Sequence, residues 1–282
     1  MLFRSLELMR FGVFTGIEQS LWLGISRVFT AVVGFSHTQA EVGYLSLAMR
    51  LVETVQGLIG GVTARLALPL FSGLQHDRAD LKRAYLAASR ITACVSTPVL
   101  LGIAALSDVI LAALFDPSWA PAGDLISLLA LASAVALLFS FFGSFVKAVG
   151  RPELNIFGAS VAFSLATLGA VLSAGHGVVI AVGTYLLRLL IVVPFYLFVL
   201  SKVGQITVRD YFRGIAPALV ASTLAAATVF GVKQRFSIGA YPLADLVALG
   251  ILGGIVYLGA MLILDAATLR QLLMIGKRAT SR

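Results

Sequence analysis

Charge and cysteine are scarce in this chain. Only 12% of its 282 residues are charged, and Cys94 is its single cysteine. Because a soluble domain carries about 25% charged residues, this composition excludes a soluble globule and a disordered chain, and the lone cysteine excludes a disulfide scaffold. Hydrophobic residues make up 59% of the chain, and the mean hydropathy is +0.99. These values predict an integral membrane protein whose apolar runs are long enough for helices rather than barrel strands.

Residue patterns that carry chemistry are also missing. The three histidines, His37, His76 and His176, lie far apart and match no zinc-ligand spacing. The sequence has no glycine-rich Walker loop, and the apolar runs hold no plausible set of nucleophile, base and acid. We therefore predict no metal, no cofactor and no enzymatic activity, so any transport would draw on an ion gradient, the membrane potential or substrate pull.

Long apolar stretches divide the chain into eight predicted membrane crossings, since a helix needs about 20 mostly apolar residues to span the hydrocarbon. The longest charge-free run is split at residues 173–177, where two glycines and a histidine suit a turn. The predicted crossings are Phe11–Gly34, Gly43–Ser72, Ile91–Phe115, Leu125–Val146, Leu154–Ala174, Val178–Ser201, Gly214–Val232 and Leu246–Leu264. The expected fold is an all-α integral membrane protein, with a six-helix bundle in residues 1–201 and two further helices and a cytoplasmic tail in residues 202–282.

Basic residues are distributed unevenly between the connections that join these crossings. Of the 21 Lys and Arg residues, fifteen lie in one set of connections, two lie in the other set and four lie within crossings. Lys147 is counted among the fifteen, and Lys233 and Arg235 are the two. Because connections rich in Lys and Arg stay in the cytoplasm, both termini are predicted on the cytoplasmic side of a bacterial inner membrane. The net charge of +8 is thereby explained by orientation, and nucleic-acid binding is not predicted.

Six charged residues lie well inside the predicted crossings, where each costs roughly 2.5–3.5 kcal/mol unless it faces water or a partner. They are Glu18, Arg27, Arg50, Glu53, Arg65 and Arg188. Our hypothesis is a cationic central cavity in which the four arginines bind an anionic substrate such as a pyrophosphate-linked lipid. The two glutamates would then be coupling residues or ion-pair partners. The alternative is that Glu18–Arg65 and Arg50–Glu53 are purely structural ion pairs.

Several stretches of ordinary residues carry a family likeness. They are RFGVFTGIEQSLWLGISRVFTAVVGFSHTQAEVGYLSLAMR, its continuation LVETVQGLIGGVTARLALPLFSGLQ, then LKRAYLAASR, LFDPSWAPAGDLISLLAL and the short turn AVGRPELN. Together they resemble the second half of bacterial polysaccharide-type flippases, which belong to the multidrug/oligosaccharidyl-lipid/polysaccharide flippase superfamily. The resemblance covers roughly residues 8–200 well and the last two crossings loosely.

This resemblance implies a flippase or exporter for lipid-linked sugars, such as O-antigen, lipopolysaccharide or exopolysaccharide precursors. It would work by alternating access between two six-helix bundles, with membrane lipids around it. Arg27, Arg50, Arg65 and Arg188 are the positions that would meet the diphosphate of the carrier lipid. Such transporters have twelve to fourteen crossings, so this chain resembles their second lobe only. We expect first a fragment or a mis-started reading frame, then a separately encoded half, or a homodimer that rebuilds both lobes.

Two alternative functions fit the same sequence. A multidrug and toxin extruding antiporter of the same superfamily would use acidic cavity residues for cation coupling, and here only Glu18 and Glu53 are deep enough. A non-transporting scaffold of an envelope-assembly complex would gain nothing from arginines inside the membrane. The arginines therefore favour the lipid-linked sugar flippase.

Overall fold

Helices form all the regular structure in the described part of the chain. The computed structural model places the backbone of residues 2–73, 77–235 and 242–280, and the side chains of residues 16–61, 77–235 and 242–270. A helix satisfies every backbone hydrogen bond within itself, which is the requirement that hydrocarbon imposes on a spanning segment. The predicted all-α class is confirmed.

Ten α-helices follow one another, with one short 3₁₀ turn at Pro117–Trp119 in the described ranges. They are α1 Leu2–Ser36, α2 Gln39–Gly73, α3 Arg78–Leu114, α4 Ala122–Leu138, α5 Phe142–Ala148, α6 Glu153–Leu172, α7 Val178–Leu187, α8 Leu189–Gly204, α9 Val208–Arg235 and α10 Pro242–Thr280.

Six segments of the described chain are long and apolar enough to cross a membrane. They are α3, α4 with α5, α6, α7 with α8, α9, and α10 as far as Arg270, and they correspond to the last six predicted crossings. The first two predicted crossings lie within α1 and α2, which have 35 residues each. These two helices carry all of the six predicted intramembrane charges except Arg188. At about 1.5 Å per residue both helices exceed the roughly 30 Å of hydrocarbon. The chain is a multi-pass membrane protein.

The turn between the fifth and sixth crossings lies where the sequence predicts it. Helix α6 ends at Leu172 and α7 begins at Val178. Between them Gly175 has a φ of +81°, a left-handed conformation that a residue with a Cβ adopts only at a cost. The glycine in this otherwise apolar run therefore marks the reversal of the chain.

Two predicted crossings are each broken into two helices. The fourth consists of α4 and α5, separated by a turn at residues 139–141, and the sixth consists of α7 and α8, which meet at Arg188. A break leaves backbone groups without intrahelical partners, and within a membrane this is tolerated where the backbone is buried in protein or lines a cavity. Both breaks lie beside the cavity described below.

Packing within the molecule centres on α3 and on aromatic contacts. Helix α3 packs against α4, α9 and α10, while α1 packs against α6. Tyr85 of α3 meets Phe145 of α5 edge to face, with ring centroids 4.9 Å apart, and Phe142 stacks on Tyr196 of α8 at 4.0 Å. Since α9 and α10 lie along α3, the division after residue 201 stays a prediction.

Candidate functional site

A cavity of about 540 Å³ lies among α1, α2, α4, α5, α6, α7 and α8; we call it the central cavity. Four charged residues line it: Glu18, Glu53, Lys147 and Arg188. The remaining lining combines aromatic rings with amides and hydroxyls. The central cavity is thus a polar chamber enclosed by apolar helices.

Lys147 is the residue of this site that sequence reasoning missed. The sequence predicts it in a cytoplasmic connection, but it lies in α5, and its ammonium is 2.8 Å from Oε2 of Glu18. The two side chains are only 15% and 6% exposed. Glu18 therefore has Lys147 as its described partner, whereas the side chain of Arg65, the predicted partner, lies outside the described residues.

Arg188 occupies the break between α7 and α8. Its guanidinium lies 3.4 Å from the centroid of the Tyr185 ring, and its Nη1 donates a hydrogen bond of 2.5 Å to the Tyr185 carbonyl oxygen. That carbonyl belongs to the last turn of α7, where intrahelical donors run out. No carboxylate pairs with Arg188 among the described residues. Most of its donors thus remain for a ligand, since a guanidinium carries five N–H groups.

A second cavity of about 730 Å³ lies between α1 and α2; we call it the α1–α2 cavity. Arg27, Arg50 and Glu53 are its charged lining residues. Neither guanidinium has a hydrogen-bond or ion-pair partner among the side chains that the structure describes. The alternative of an Arg50–Glu53 ion pair is wrong for the described conformation, because no contact within 4 Å joins them.

The two cavities form one polar surface. They share three lining residues, Ser26, Met49 and Glu53. The structure therefore brings Glu18 and Arg188 to one part of the surface and Arg27 and Arg50 to the other, with Glu53 between them.

The described charges of this joined surface have a basic excess. Four basic side chains, Arg27, Arg50, Lys147 and Arg188, face two carboxylates. A concave site with low-dielectric walls focuses the potential of the charges that line it, so the surface attracts anions. In the described ranges no group of three or more His, Cys, Asp or Glu residues is arranged to hold a metal ion.

Proteins of polysaccharide biosynthesis resemble this chain in sequence. A family model described as polysaccharide biosynthesis protein matches residues 2–124. The teichuronic acid biosynthesis protein TuaB of Bacillus subtilis is 26% identical over 204 residues, which is 71% of this chain and 42% of that protein. The succinoglycan biosynthesis transport protein ExoT of Rhizobium meliloti is 26% identical over 132 residues, covering 47% of this chain and 26% of the relative. The amylovoran biosynthesis protein AmsL of Erwinia amylovora is 29% identical over 150 residues, which is 49% of this chain and 39% of that protein.

A solved structure shares the fold. The lipid II flippase MurJ in an inward closed conformation superposes with a TM-score of 0.66 at 16% identity, over 89% of this chain and 52% of that one. At this identity the likeness establishes the fold alone, and it confirms the predicted flippase-type helical bundle. The chain spans less than half the length of the curated relatives it matches.

Proposed function

We propose that this chain forms one lobe of a transporter for lipid-linked polysaccharide precursors in a bacterial inner membrane, because it resembles polysaccharide biosynthesis proteins in sequence and a lipid II flippase in fold. Both termini would face the cytoplasm, as the distribution of basic residues predicts. Translocation would involve no covalent chemistry: the sugar passes through the cavity while the lipid tail stays in the bilayer.

The proposal rests on two half-buried cations, Lys147 and Arg188, which line a polar cavity that is enclosed by apolar helices. A charge in this position is costly unless it faces water, a partner or a ligand. A diphosphate supplies several anionic oxygens, and guanidinium and ammonium groups bind such oxygens through short, charge-assisted hydrogen bonds. The diphosphate of a carrier lipid is therefore the ligand that best matches the cavity.

Glu18 has a defined part in this proposal. In the absence of ligand its carboxylate neutralises the Lys147 ammonium at 2.8 Å. An arriving diphosphate competes with the carboxylate for the same cation, so binding loosens the contact between α1 and α5. Glu18 thus acts as an internal counter-ion, which weakens its candidacy as a free cation-coupling acid of an antiporter.

Arg27 and Arg50 would form a second station for the anion. Both are exposed in the α1–α2 cavity, which adjoins the central cavity at Glu53. We propose that a second lobe, either an N-terminal half or a second copy of this chain, covers this surface and completes the pathway. Arg65 stays a predicted member of the cationic set.

Binding of a labelled prenyl-diphosphate sugar to the purified protein in nanodiscs tests the proposal. Lys147→Glu and Arg188→Glu should each weaken binding at least about tenfold, because each replaces an attraction with a repulsion of more than about 1.4 kcal/mol. Arg151→Glu is the matched control, since Arg151 is exposed in the turn between α5 and α6 and makes the same charge change outside both cavities.

A neutral variant separates loss of binding from loss of folding. Lys147→Met should also weaken binding, while circular dichroism confirms an unchanged helix content. Wild-type affinity in both reversal variants would refute the proposal. The same proteins in liposomes, with dithionite quenching of the labelled lipid, then report whether the bound lipid changes leaflet, and whether co-reconstitution with an N-terminal lobe accelerates that step.

A further inference from the structure

Three amide side chains of the central cavity have no role in the phosphate chemistry proposed above. They are Gln19 of α1, Gln56 of α2 and Asn155 of α6. Within the described ranges none of the three side-chain amides has a hydrogen-bond partner. Asn155 is only 3% exposed, yet it lines the cavity, so a ligand there can reach its amide. These amides are therefore available to a ligand group other than the phosphate.

The local structure makes room for Asn155. A Cβ atom at Gly143 of α5 would lie 2.7 Å from Nδ2 of Asn155, closer than real Cβ contacts come. Only glycine at this position lets the amide lie against the α5 backbone at the cavity wall. Lys147 is four residues further along α5 than Gly143, so the Lys147 side chain and the Asn155 amide, which lies against Gly143, share one face of α5.

An aromatic ring completes the set. Trp22 lines the cavity, is 38% exposed and lies three residues from Gln19, on the same face of α1. Its indole offers a broad apolar face with a single N–H donor at the edge. The ring makes no aromatic stacking contact with another described residue, so its face is free to receive a flat apolar surface.

We propose that Gln19, Trp22, Gln56 and Asn155 form a carbohydrate subsite that reads the first sugar next to the diphosphate. This inference rests on the proposed function, because it names what lies beside the phosphate in the same cavity. A sugar hydroxyl both donates and accepts hydrogen bonds, and so does a carboxamide, whereas phosphate oxygens accept only. The C–H face of a pyranose ring is the flat apolar surface that an indole face covers. Few polar groups placed in a pocket are enough to fix a ligand's orientation.

Two ligands that differ only in the sugar test this inference. One is a short-chain prenyl diphosphate, and the other is the same molecule carrying one hexose; both are titrated into the protein in nanodiscs. The chain has two tryptophans, Trp22 and Trp119. In a Trp119→Phe background only Trp22 remains, so tryptophan emission reports occupancy of the subsite. We expect the hexose to raise the affinity at least about tenfold and to change the Trp22 emission.

Variants of the amides assign the effect. Asn155→Leu and Gln19→Leu should each remove most of the hexose-dependent gain and leave affinity for the bare prenyl diphosphate within about twofold. Gly143→Ala, which displaces the amide without deleting it, should act like Asn155→Leu. Gln39→Leu is the matched control, because Gln39 is exposed at the start of α2.

Each outcome has a separate meaning. Equal affinity of the wild-type protein for the two ligands would overturn the carbohydrate subsite and leave the proposed function intact. Equal weakening of both ligands by Asn155→Leu would also overturn it, since the amide would then serve the phosphate. Failure of both ligands to bind the wild-type protein would instead contradict the proposed function.

Discussion

The Glu18–Lys147 ion pair should have opposite effects on stability and on ligand affinity. At 2.8 Å the Coulomb energy is about 6 kcal/mol with an effective dielectric constant near 20. Desolvation of the two ions offsets much of this energy, so removing one partner should lower the free energy of unfolding by about 3 kcal/mol. The loss arises mainly because the remaining charge stays buried and unpaired.

A double-mutant cycle measures this coupling. We expect Glu18→Gln and Lys147→Met each to be destabilising, and the double variant to be less destabilised than their sum by at least about 2 kcal/mol. Thermal unfolding in nanodiscs, followed by circular dichroism, gives the four stabilities. Lys82–Asp210, a pair of 3.0 Å whose side chains are 30% and 45% exposed, is the matched control and should couple by less than about 1 kcal/mol.

Ligand binding provides the second half of the prediction. Because Glu18 competes with the diphosphate for Lys147, Glu18→Gln should bind the prenyl diphosphate about tenfold more tightly despite its lower stability. Lys147→Met should bind it more weakly. Additive stabilities in the cycle, or weaker binding by Glu18→Gln, would refute the account of Glu18 as an internal counter-ion.

Two further predictions concern the supporting structure. Asp265→Ala should lower the free energy of unfolding by about 1–2 kcal/mol. The buried Asp265 carboxylate pairs with Arg90 and accepts a hydrogen bond from the Thr268 N–H at 3.2 Å. An unchanged melting temperature in nanodiscs would contradict this role. Gln205→Gly should leave the free energy of unfolding unchanged or raise it by up to about 1 kcal/mol. Gln205 has a φ of +51°, a backbone conformation that is less favourable for a residue with a Cβ than for glycine. A clear fall in the melting temperature would contradict this expectation.

Hydropathy predicted the helices well because each crossing must be apolar along most of its length. Each of the six segments from α3 onward overlaps one predicted crossing, although α3 begins at Arg78, well before the predicted start at Ile91. Gly175 marks a turn at which the sequence has no charged residue. The breaks at residues 139–141 and at Arg188 were not predicted. They depend on packing against the cavity, and the hydropathy of an apolar run is the same whether its helix is continuous or broken.

Lys147 illustrates why the site could be predicted only in part. It follows the last apolar residue of a predicted crossing, so a linear reading assigns it to the cytoplasmic connection. The turn at residues 139–141 redirects α5 and turns Lys147 toward Glu18 of α1, a contact between residues far apart in the sequence. A charge within an apolar run is visible in a sequence, but its partner is decided by tertiary packing.

The polar residues of α1 and α2 act as one surface rather than as separate sites. On α1 the polar cavity-lining positions run from Glu18 to Thr30, which is about 18 Å of helix. On α2 the polar cavity-lining positions run from Ser46 to Gln56, which is about 15 Å of helix. Since the hydrocarbon is roughly 30 Å thick, this surface extends through about half of it. Glu53 lines both cavities, so an anion that moves between Lys147 and the α1–α2 cavity has to pass a carboxylate, and Glu53 is where we expect the passage between the two cationic stations to be slowest.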